Sequence, residues 1–292
     1  MDLKQRLRRS WLGYVARAAI QSLWYVKALP RVSRAWLVDR LNRRAYRKLS
    51  EAHLRNARRS DTVFICGTGS SLHDIAPDEW ARIAEHDIFS FRDFPRQRNV
   101  RADFHMTGEV DVLEEYAAAI NNNPLYSATL FLVQEGLQAW MGNRLIGEGH
   151  LKADAPVYRY RRRARGKMVP PSESFAEGIV HGGGSVVSAV NIALILGWKR
   201  IVLVGVDLYD HRYFYMPPDQ TRIAEKAGVT HDTPFANGDH IVAQLGMWDA
   251  AMRPRGVRLF AYNPRSLLIR HLPVFRWEEG DRRPATAGEA AT

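Results

Sequence analysis

The sequence predicts an α/β fold, with a Rossmann-like, mostly parallel sheet flanked by helices, and three observations predict it. Short apolar runs typical of buried strands alternate with helical patterns along the chain. A GTG turn at 67–69 directly follows one of those runs. The helical segment 186–196 has only two polar side chains, Ser188 and Asn191, which indicates a helix buried on most sides.

Five apolar segments are predicted to be strands of that sheet. They are Thr62–Cys66, Asp87–Phe91, Ala102–Met106, Ser127–Val133 and Ile201–Leu208. A helix is predicted over Val110–Asn121, where apolar residues recur at helical spacing. We expect one domain over 61–277 and a disordered tail over 278–292, which is polar and rich in small residues.

Composition limits the class of protein. The chain has 292 residues, 46% of them hydrophobic and 25% charged, which is ordinary for a soluble globular protein. Its single cysteine, Cys66, excludes an internal disulfide and a cysteine-based zinc site. The sequence contains no uninterrupted run of 18 apolar residues and no signal-peptide pattern, so a cytoplasmic protein is expected.

The positive charge of the chain is concentrated at its N-terminus. Residues 1–60 hold 16 Lys/Arg and three acids, a net charge of +13, whereas the remaining 232 residues carry −2. Five aromatic residues lie among these charges: Trp11, Tyr14, Trp24, Tyr25 and Trp36. We predict a basic amphipathic helical arm in peripheral contact with an anionic membrane, at the inner face of the cytoplasmic membrane. Packing on the domain is the second interpretation, and nucleic acid ranks last because no nucleic-acid-binding motif is present.

Two glycine-rich segments are candidate ligand sites. The turn formed by Gly67, Thr68, Gly69 and Ser70 follows a strand, where ligands bind in doubly wound sheets, although a tight turn without a ligand has the same pattern. HGGGS at 181–185 precedes the buried helix. Its bare amides beside the positive end of a helix dipole would suit an anion or a nucleotide, and close packing is the alternative.

An arginine-rich segment lies between the two halves of the predicted sheet. YRYRRRARGK at 158–167 holds five arginines and a lysine. This segment is either a solvated charged loop or a binding site for an anionic substrate.

Three motifs in order resemble glycosyltransferase family 42, the bacterial sialyltransferases, and the related motility-accessory-factor glycosyltransferases. They are GTGSSLHDI, GGGSVVSAVNIALILGWKRIVLVGVDLY and VRLFAYNPRSLL, within roughly residues 62–272. The resemblance implies a single Rossmann-like domain of the GT-A type with a flexible lid, here about 216–238. It also implies transfer of a sugar from a nucleotide-activated donor, a CMP-sugar first of all.

The donor-binding positions of that family fall on partly different residues here. Its donor asparagine corresponds to Thr68, its second asparagine to Arg92 and a third to about Met106. Its SGV motif corresponds to Ser185-Val186-Val187, and an upstream arginine to Gly182. The resemblance thus implies donor contacts from Gly67, Thr68, Gly69, Ser70, Arg92, Gly183, Gly184, Ser185 and Asp207.

The resemblance also implies catalytic residues. Two tyrosines six residues apart, Tyr209 and Tyr215, match those that contact the donor phosphate in the family. An alternative for the second is an aromatic loop, Tyr213-Phe214-Tyr215, packing on the core. The general base falls at Asp239 or, with a one-residue shift, at His240. His231, inside the lid, is a weaker candidate.

No metal or cofactor is expected. A DxD motif is absent, and Asp207, Asp210 and Asp219 do not form a metal-ligand set; Asp207 is expected to order a loop. The overall expectation is a metal-independent glycosyltransferase acting on a cell-surface glycan or lipid-linked acceptor, with the oligomeric state open. A diphosphokinase of the 6-hydroxymethylpterin type and a non-catalytic nucleotide-sugar-binding protein are the alternatives.

Overall fold

The fold is taken from a computed structural model. It describes residues 29–108, 112–136, 139–163, 168–209, 212–217 and 238–277. These residues form eight strands: β1 Arg47–Lys48, β2 Thr62–Cys66, β3 Asp87–Phe91, β4 Phe104–Met106, β5 Leu130–Gln134, β6 Pro156–Tyr160, β7 Arg200–Val204 and β8 Arg258–Ala261.

The described helices lie mostly between consecutive strands. They are α1 at 29–42, α2 Glu51–Asn56, α3 Pro77–Ala84, α4 Leu113–Asn121, α5 Trp140–Gly147, α6 Ser185–Leu196 and α7 Gly238–Met252. Across the described part of the chain, none of the helices combines the length and the apolar character that crossing a bilayer requires.

The eight strands form one sheet in the order β1-β6-β5-β4-β3-β2-β7-β8, and every neighbouring pair is parallel. Strands β3, β4, β5 and β6 are added one after another on one side of β2, and β7 is then added on the other side of β2. Loops leaving β2 and β7 therefore diverge, which makes this pair of strands the topological switch point. The predicted Rossmann-like α/β fold is confirmed, with a fully parallel sheet.

Both faces of the sheet are buried. Along β2, Val63 and Ile65 belong to one apolar cluster while Phe64 and Cys66 belong to the other. Successive side chains of a strand point to opposite faces, so this strand contributes to both cores. Helix α6 fills the first core, where ten of its residues are buried.

Two predicted strands have different boundaries in the structure, because a turn interrupts or precedes them. The strand predicted over Ile201–Leu208 ends at Val204, because Gly205 has a left-handed φ of 61°. The strand predicted over Ser127–Val133 is shifted to Leu130–Gln134, since a 3-10 turn occupies Pro124–Tyr126. Strand β6 and helix α5 were not identified in the sequence, where residues 134–180 show no regular pattern.

The second half of the basic N-terminal segment is built into the domain. Strand β1 pairs with β6 at the edge of the sheet, and Leu49 and Leu54 lie in the apolar core. Helix α1 is attached by Asp39, which is fully buried. Its carboxylate accepts two hydrogen bonds from the Arg159 guanidinium, at 2.6 and 3.0 Å, and one from Arg43 Nη2 at 2.9 Å.

We expect Asp39→Ala to lower the free energy of unfolding by about 3 kcal/mol, because it leaves the Arg159 guanidinium without its buried carboxylate. Urea denaturation followed by circular dichroism would measure the change. Glu51→Ala is the control, since it removes a solvent-exposed pair with Arg55 and should cost less than about 1 kcal/mol. Equal losses in the two variants would contradict a structural role for the Asp39 pair.

Candidate active site

The glycine turn after β2 is closed against the loop after β7. Gly67 N–H donates to Val204 O and Gly69 N–H to Gly205 O, both at 2.8 Å. A Cβ on Gly69 would lie 2.3 Å from Asp207 Oδ2 and 2.8 Å from Gly205 O. Glycine at position 69 is therefore required by contact with the neighbouring loop.

Asp207 holds three strand-end loops together. Its buried carboxylate accepts hydrogen bonds from Ser71 N–H at 3.0 Å, from Ser71 Oγ at 2.6 Å and from Asn263 Nδ2 at 2.9 Å. Ser71 follows β2, Asp207 follows β7 and Asn263 follows β8. The carboxylate is thus engaged by protein donors at the carboxyl edge of the sheet.

The aromatic segment 213–215 lies over the glycine turn. Tyr213 forms an antiparallel bridge with Gly69, and Phe214 N–H donates to Thr68 O at 3.1 Å. The ring of Phe214 packs edge-on against Phe94. Tyr213 in turn lies under the Arg92 guanidinium, 5.6 Å from the centre of its ring. This segment therefore links the glycine turn to the end of β3.

A cavity of about 140 Å³ is lined in part by Arg92. Its walls come from the carboxyl ends of β3 to β6 and from the start of α6. The side chains that matter chemically are those of Arg92, Gln134, Tyr160, Arg162, His181 and Ser185. None of the described residues that line it is acidic. The cavity therefore lies at the carboxyl edge of the sheet, the edge at which ligands bind in open parallel α/β sheets.

The start of α6 lines this cavity through Gly183, Gly184 and Ser185. Gly182 and Gly183 have φ values of 50° and 96°, which glycine adopts without strain, and Gly184 is the N-cap residue. The N–H groups of Ser185 and Val186 have no acceptor among the described residues. With the positive end of the helix dipole, these amides favour an anion. Ser185 is the first helical residue, and the N-cap residue Gly184 makes no side-chain capping hydrogen bond.

Arg92 is held in a strained conformation beside these amides. Its φ is 55°, which is uncommon for a residue with a side chain, and its Nε is buried without a hydrogen-bond partner. Gly108 separates it from α6: a Cβ there would lie 3.6 Å from Arg92 Cγ and 3.2 Å from Ser185 Oγ. A ligand in the cavity can therefore reach both Arg92 and the helix start.

Arg162 is the second cation of the cavity. The backbone of 161–163 runs beside Ile179, with Ile179 N–H donating to Arg161 O at 2.7 Å and Arg163 N–H to Ile179 O at 2.9 Å. Arg161 is paired with Glu135 at 2.9 Å and is outside the cavity wall, whereas Arg162 lines the cavity and has no ion pair within the described ranges.

His181 completes the polar wall. The two polar side chains of α6 fix its position: Asn191 Oδ1 accepts from Val180 N–H at 2.9 Å, and Ser188 Oγ lies 3.1 Å from His181 Nδ1. Burial, with the charge of Arg162 as a second cause, lowers the pKa of His181 to about 4. The imidazole is therefore neutral at neutral pH.

The two sequence-predicted tyrosines lie away from the cavity wall. Tyr209 is buried. The Tyr215 ring stacks on Tyr213 at 5.6 Å, its hydroxyl donates to Asp93 Oδ2 at 3.5 Å, and Arg96 lies over its face. Burial raises the pKa of the Tyr215 phenol. Tyr213, which was not selected from the sequence, is the aromatic residue that supports Arg92.

The sequence-predicted bases are exposed at the start of α7. Asp239 Oδ1 lies 3.5 Å from Arg270 Nη1, and neither Asp239 nor His240 lines the cavity. The same helical turn does approach α6, because a Cβ on Gly184 would lie 2.8 Å from Ile241 Cδ1. Most of the predicted lid, including His231, lies outside the described residues.

Candidate metal ligands were considered separately. Asp210 and Asp219 are outside the described residues. Glu114, Glu148 and His150 have ligand atoms within 4.8 Å of one another, on the surface formed by α4 and α5. The Arg144 guanidinium donates to both carboxylates at 2.8–2.9 Å, so a cation already neutralises this cluster.

The sequence indicated an arginine-rich segment that includes Arg162. It did not indicate which of the arginines in that segment lines the cavity. Arg159 is paired with Asp39, Arg161 with Glu135, and Arg162 faces the cavity. No motif in the sequence indicated Gln134 and Tyr160 as site residues, because they become neighbours only through the pairing of β5 and β6.

Comparison with known proteins places the fold among solved structures. The sequence matches no protein-family model and no curated protein. A variant of the sialyltransferase CST-II in complex with CMP is similar, with a TM-score of 0.44, 15% identity, and 73% of this chain and 85% of that chain covered. The monofunctional alpha-2,3-sialyltransferase Cst-I from Campylobacter jejuni has a TM-score of 0.45 and 18% identity, covering 73% of this chain and 80% of that chain. These likenesses concern the course of the chain, so the roles of residues rest on their own geometry.

We expect Gly69→Ala to destabilise the protein by about 1–3 kcal/mol, because the added methyl group would overlap the Asp207 carboxylate and Gly205 O. Thermal unfolding would measure it. Asp207→Ala removes one of the two obstacles. The double variant should therefore lose less stability than the sum of the two single variants. Strict additivity would show that the two side chains do not compete for this space.

Proposed function

We propose that this protein is a glycosyltransferase that takes a sugar from a nucleotide-activated donor, with the anionic part of the donor bound in the cavity at the start of α6. The donor class follows from the motif resemblance, which favours a CMP-sugar, and the transferred sugar is proposed to be acidic. The acceptor would be a cell-surface glycan or a lipid-linked glycan.

The observation that carries this proposal is the charge of the cavity. Arg92 and Arg162 face it without carboxylate partners in the described part of the chain, beside the unpaired amides of Ser185 and Val186. Two cations and a helix N-terminus can bind a phosphate, or a phosphate and a sugar carboxylate together. Both groups occur in a CMP-linked acidic sugar.

The same groups would act in the reaction. In a direct displacement, the acceptor oxygen bonds to the anomeric carbon while the bond from that carbon to the phosphate oxygen breaks. The leaving phosphate gains charge, and preorganised donors such as Arg92, Arg162 and the amides of α6 stabilise it. The ring of Tyr213 lies 5.6 Å from the Arg92 guanidinium and supports its position. Tyr209 and Tyr215 remain proposed contacts of the donor phosphate, and neither lines the cavity in the described structure.

The diphosphokinase alternative is not favoured. Such an enzyme binds ATP with magnesium, which requires carboxylate ligands, and the described wall of the cavity has none. A non-catalytic nucleotide-sugar binder would use the same cavity and differs only in the absence of turnover.

We expect Arg162→Gln to weaken CMP binding by about 10- to 100-fold, the value of one or two charged hydrogen bonds. Arg161→Gln is a matched control, because the adjacent arginine is paired with Glu135 and lies outside the cavity. The measurement is isothermal titration with CMP, supported by the shift in melting temperature that a bound ligand produces.

Two results would contradict the donor site. Equal weakening by both substitutions would mean that charge in general, and not the cavity, attracts CMP. Binding of ATP with magnesium in preference to CMP, UDP and GDP compounds would favour the diphosphokinase.

Contact with an anionic membrane is the second part of the proposal, and helix α1 supports it. Leu37 and Leu41, one turn apart, are 53% and 70% exposed, and Leu29 is 51% exposed. Ala35 and Asp39 are buried on the opposite side of the helix. Exposed leucines on a helix that carries Arg34 and Arg40 suit the boundary between lipid headgroups and acyl chains. The protein would then act at the inner face of the cytoplasmic membrane.

We expect the full chain to co-sediment with vesicles that contain anionic phospholipid, and the variant Leu37→Glu/Leu41→Glu to lose most of this binding. Ile269→Glu is the control, since Ile269 is an exposed apolar residue on a different element. Binding should weaken toward 0.5 M salt, where the Debye length is about 4 Å. Unchanged sedimentation of the leucine variant would contradict membrane contact through α1.

A further inference from the structure

The hydrogen bonds of His181 define which ring nitrogen carries its proton. Ser188 Oγ lies 3.2 Å from Val180 O and 3.1 Å from His181 Nδ1. A hydroxyl has one proton, and Val180 O can only accept, so Ser188 donates to Val180 and accepts from His181. Nδ1 is therefore protonated, and Nε2 bears the lone pair.

That lone pair is available to a ligand. His181 lines the cavity, and its Nε2 has no hydrogen-bond partner within the described residues. Burial and the charge of Arg162 lower the pKa of His181 to about 4, so the ring is uncharged at neutral pH and its Nε2 lone pair is not occupied by a proton. The other described polar groups of the cavity wall are arginines, hydroxyls, amides and the buried phenol of Tyr160.

We propose that His181 is the catalytic base, the group that takes the proton of the attacking hydroxyl. This inference rests on the proposed glycosyltransferase function and deepens it. The acceptor O–H proton moves to His181 Nε2 while the acceptor oxygen forms its bond to the anomeric carbon. The electron pair of the broken bond leaves with the phosphate, beside Arg92 and Arg162.

The geometry favours His181 over the two candidates on α7. His240 is exposed, and Asp239 is exposed and close to Arg270, whereas His181 shares the cavity with both arginines. An anion bound between those arginines would also offset the charge of Arg162, which opposes protonation of the imidazole. The base would thus become stronger when the donor is bound. Ser188 is a positioning residue in this proposal, because its hydrogen bonds to Val180 and His181 fix the tautomer of the imidazole.

The experiment uses the full-length chain and CMP-N-acetylneuraminic acid as donor, with water as acceptor. We expect His181→Gln to lower kcat for donor hydrolysis by about 10²–10⁴, the usual effect of losing a general base. The KM for the donor and the affinity for CMP should change by less than about threefold, since a base that contacts only the acceptor adds little to donor binding. His150→Gln is the matched control, on the surface away from the cavity.

Three further measurements separate a catalytic role from a structural one. Azide is a nucleophile without a proton, so it should restore donor consumption in His181→Gln and not accelerate the wild type comparably. Spectra of the ¹⁵N-labelled imidazole should show Nδ1 protonated and Nε2 free in the wild type, with the Nε2 signal shifting on addition of the donor. Ser188→Ala should mix the two tautomers and lower kcat by about tenfold or less.

The outcomes distinguish this inference from the proposed function. Wild-type turnover by His181→Gln, with CMP binding intact, would overturn the base and leave the transferase standing. A large loss in His240→Gln with none in His181→Gln would move the base to α7. A wild-type protein that neither binds CMP nor consumes the donor would overturn the proposed function and the base with it.

Discussion

The carboxylate of Asp207 is the interaction on which the candidate site depends. It ties the loops after β2, β7 and β8 together through Ser71 and Asn263. The glycine turn that it holds pairs with Tyr213, and the ring of Tyr213 supports Arg92. A buried acid thus positions a cation by a chain of contacts. Such a chain is stiff, because each member is close-packed against the next and has little room to relax.

Two arginines give the cavity its positive charge. Around the sheet, arginines such as Arg43, Arg96 and Arg159 have carboxylate partners. Arg92 and Arg162 have none among the described residues, and they lie together at the start of α6. Unpaired cations in a concave, partly buried place are costly unless a ligand compensates them, and this cost is the physical basis of the proposed anion binding.

The two polar residues of α6 position the segment that precedes the helix. Ser188 and Asn191 are buried in an otherwise apolar helix, where polar groups need partners. Asn191 binds the backbone at Ser172 and Val180, and Ser188 binds Val180 and His181. The segment that leads into HGGGS is therefore positioned by the same helix whose N-terminus lines the cavity.

The sequence alone determined the parallel α/β fold, the strands β2 and β3 to the residue, and the buried helix, because apolar periodicity and glycine turns are local signals. It also indicated HGGGS and an arginine at the end of β3. Only the tertiary structure decided that Arg92, Arg162 and His181 share one cavity, because they come from strand ends and a helix start far apart in the chain. It also decided that Arg159 and Arg161 are paired with acids while Arg162 is not. Which side of a strand end faces a cavity depends on the neighbouring strands, and no single segment contains that information.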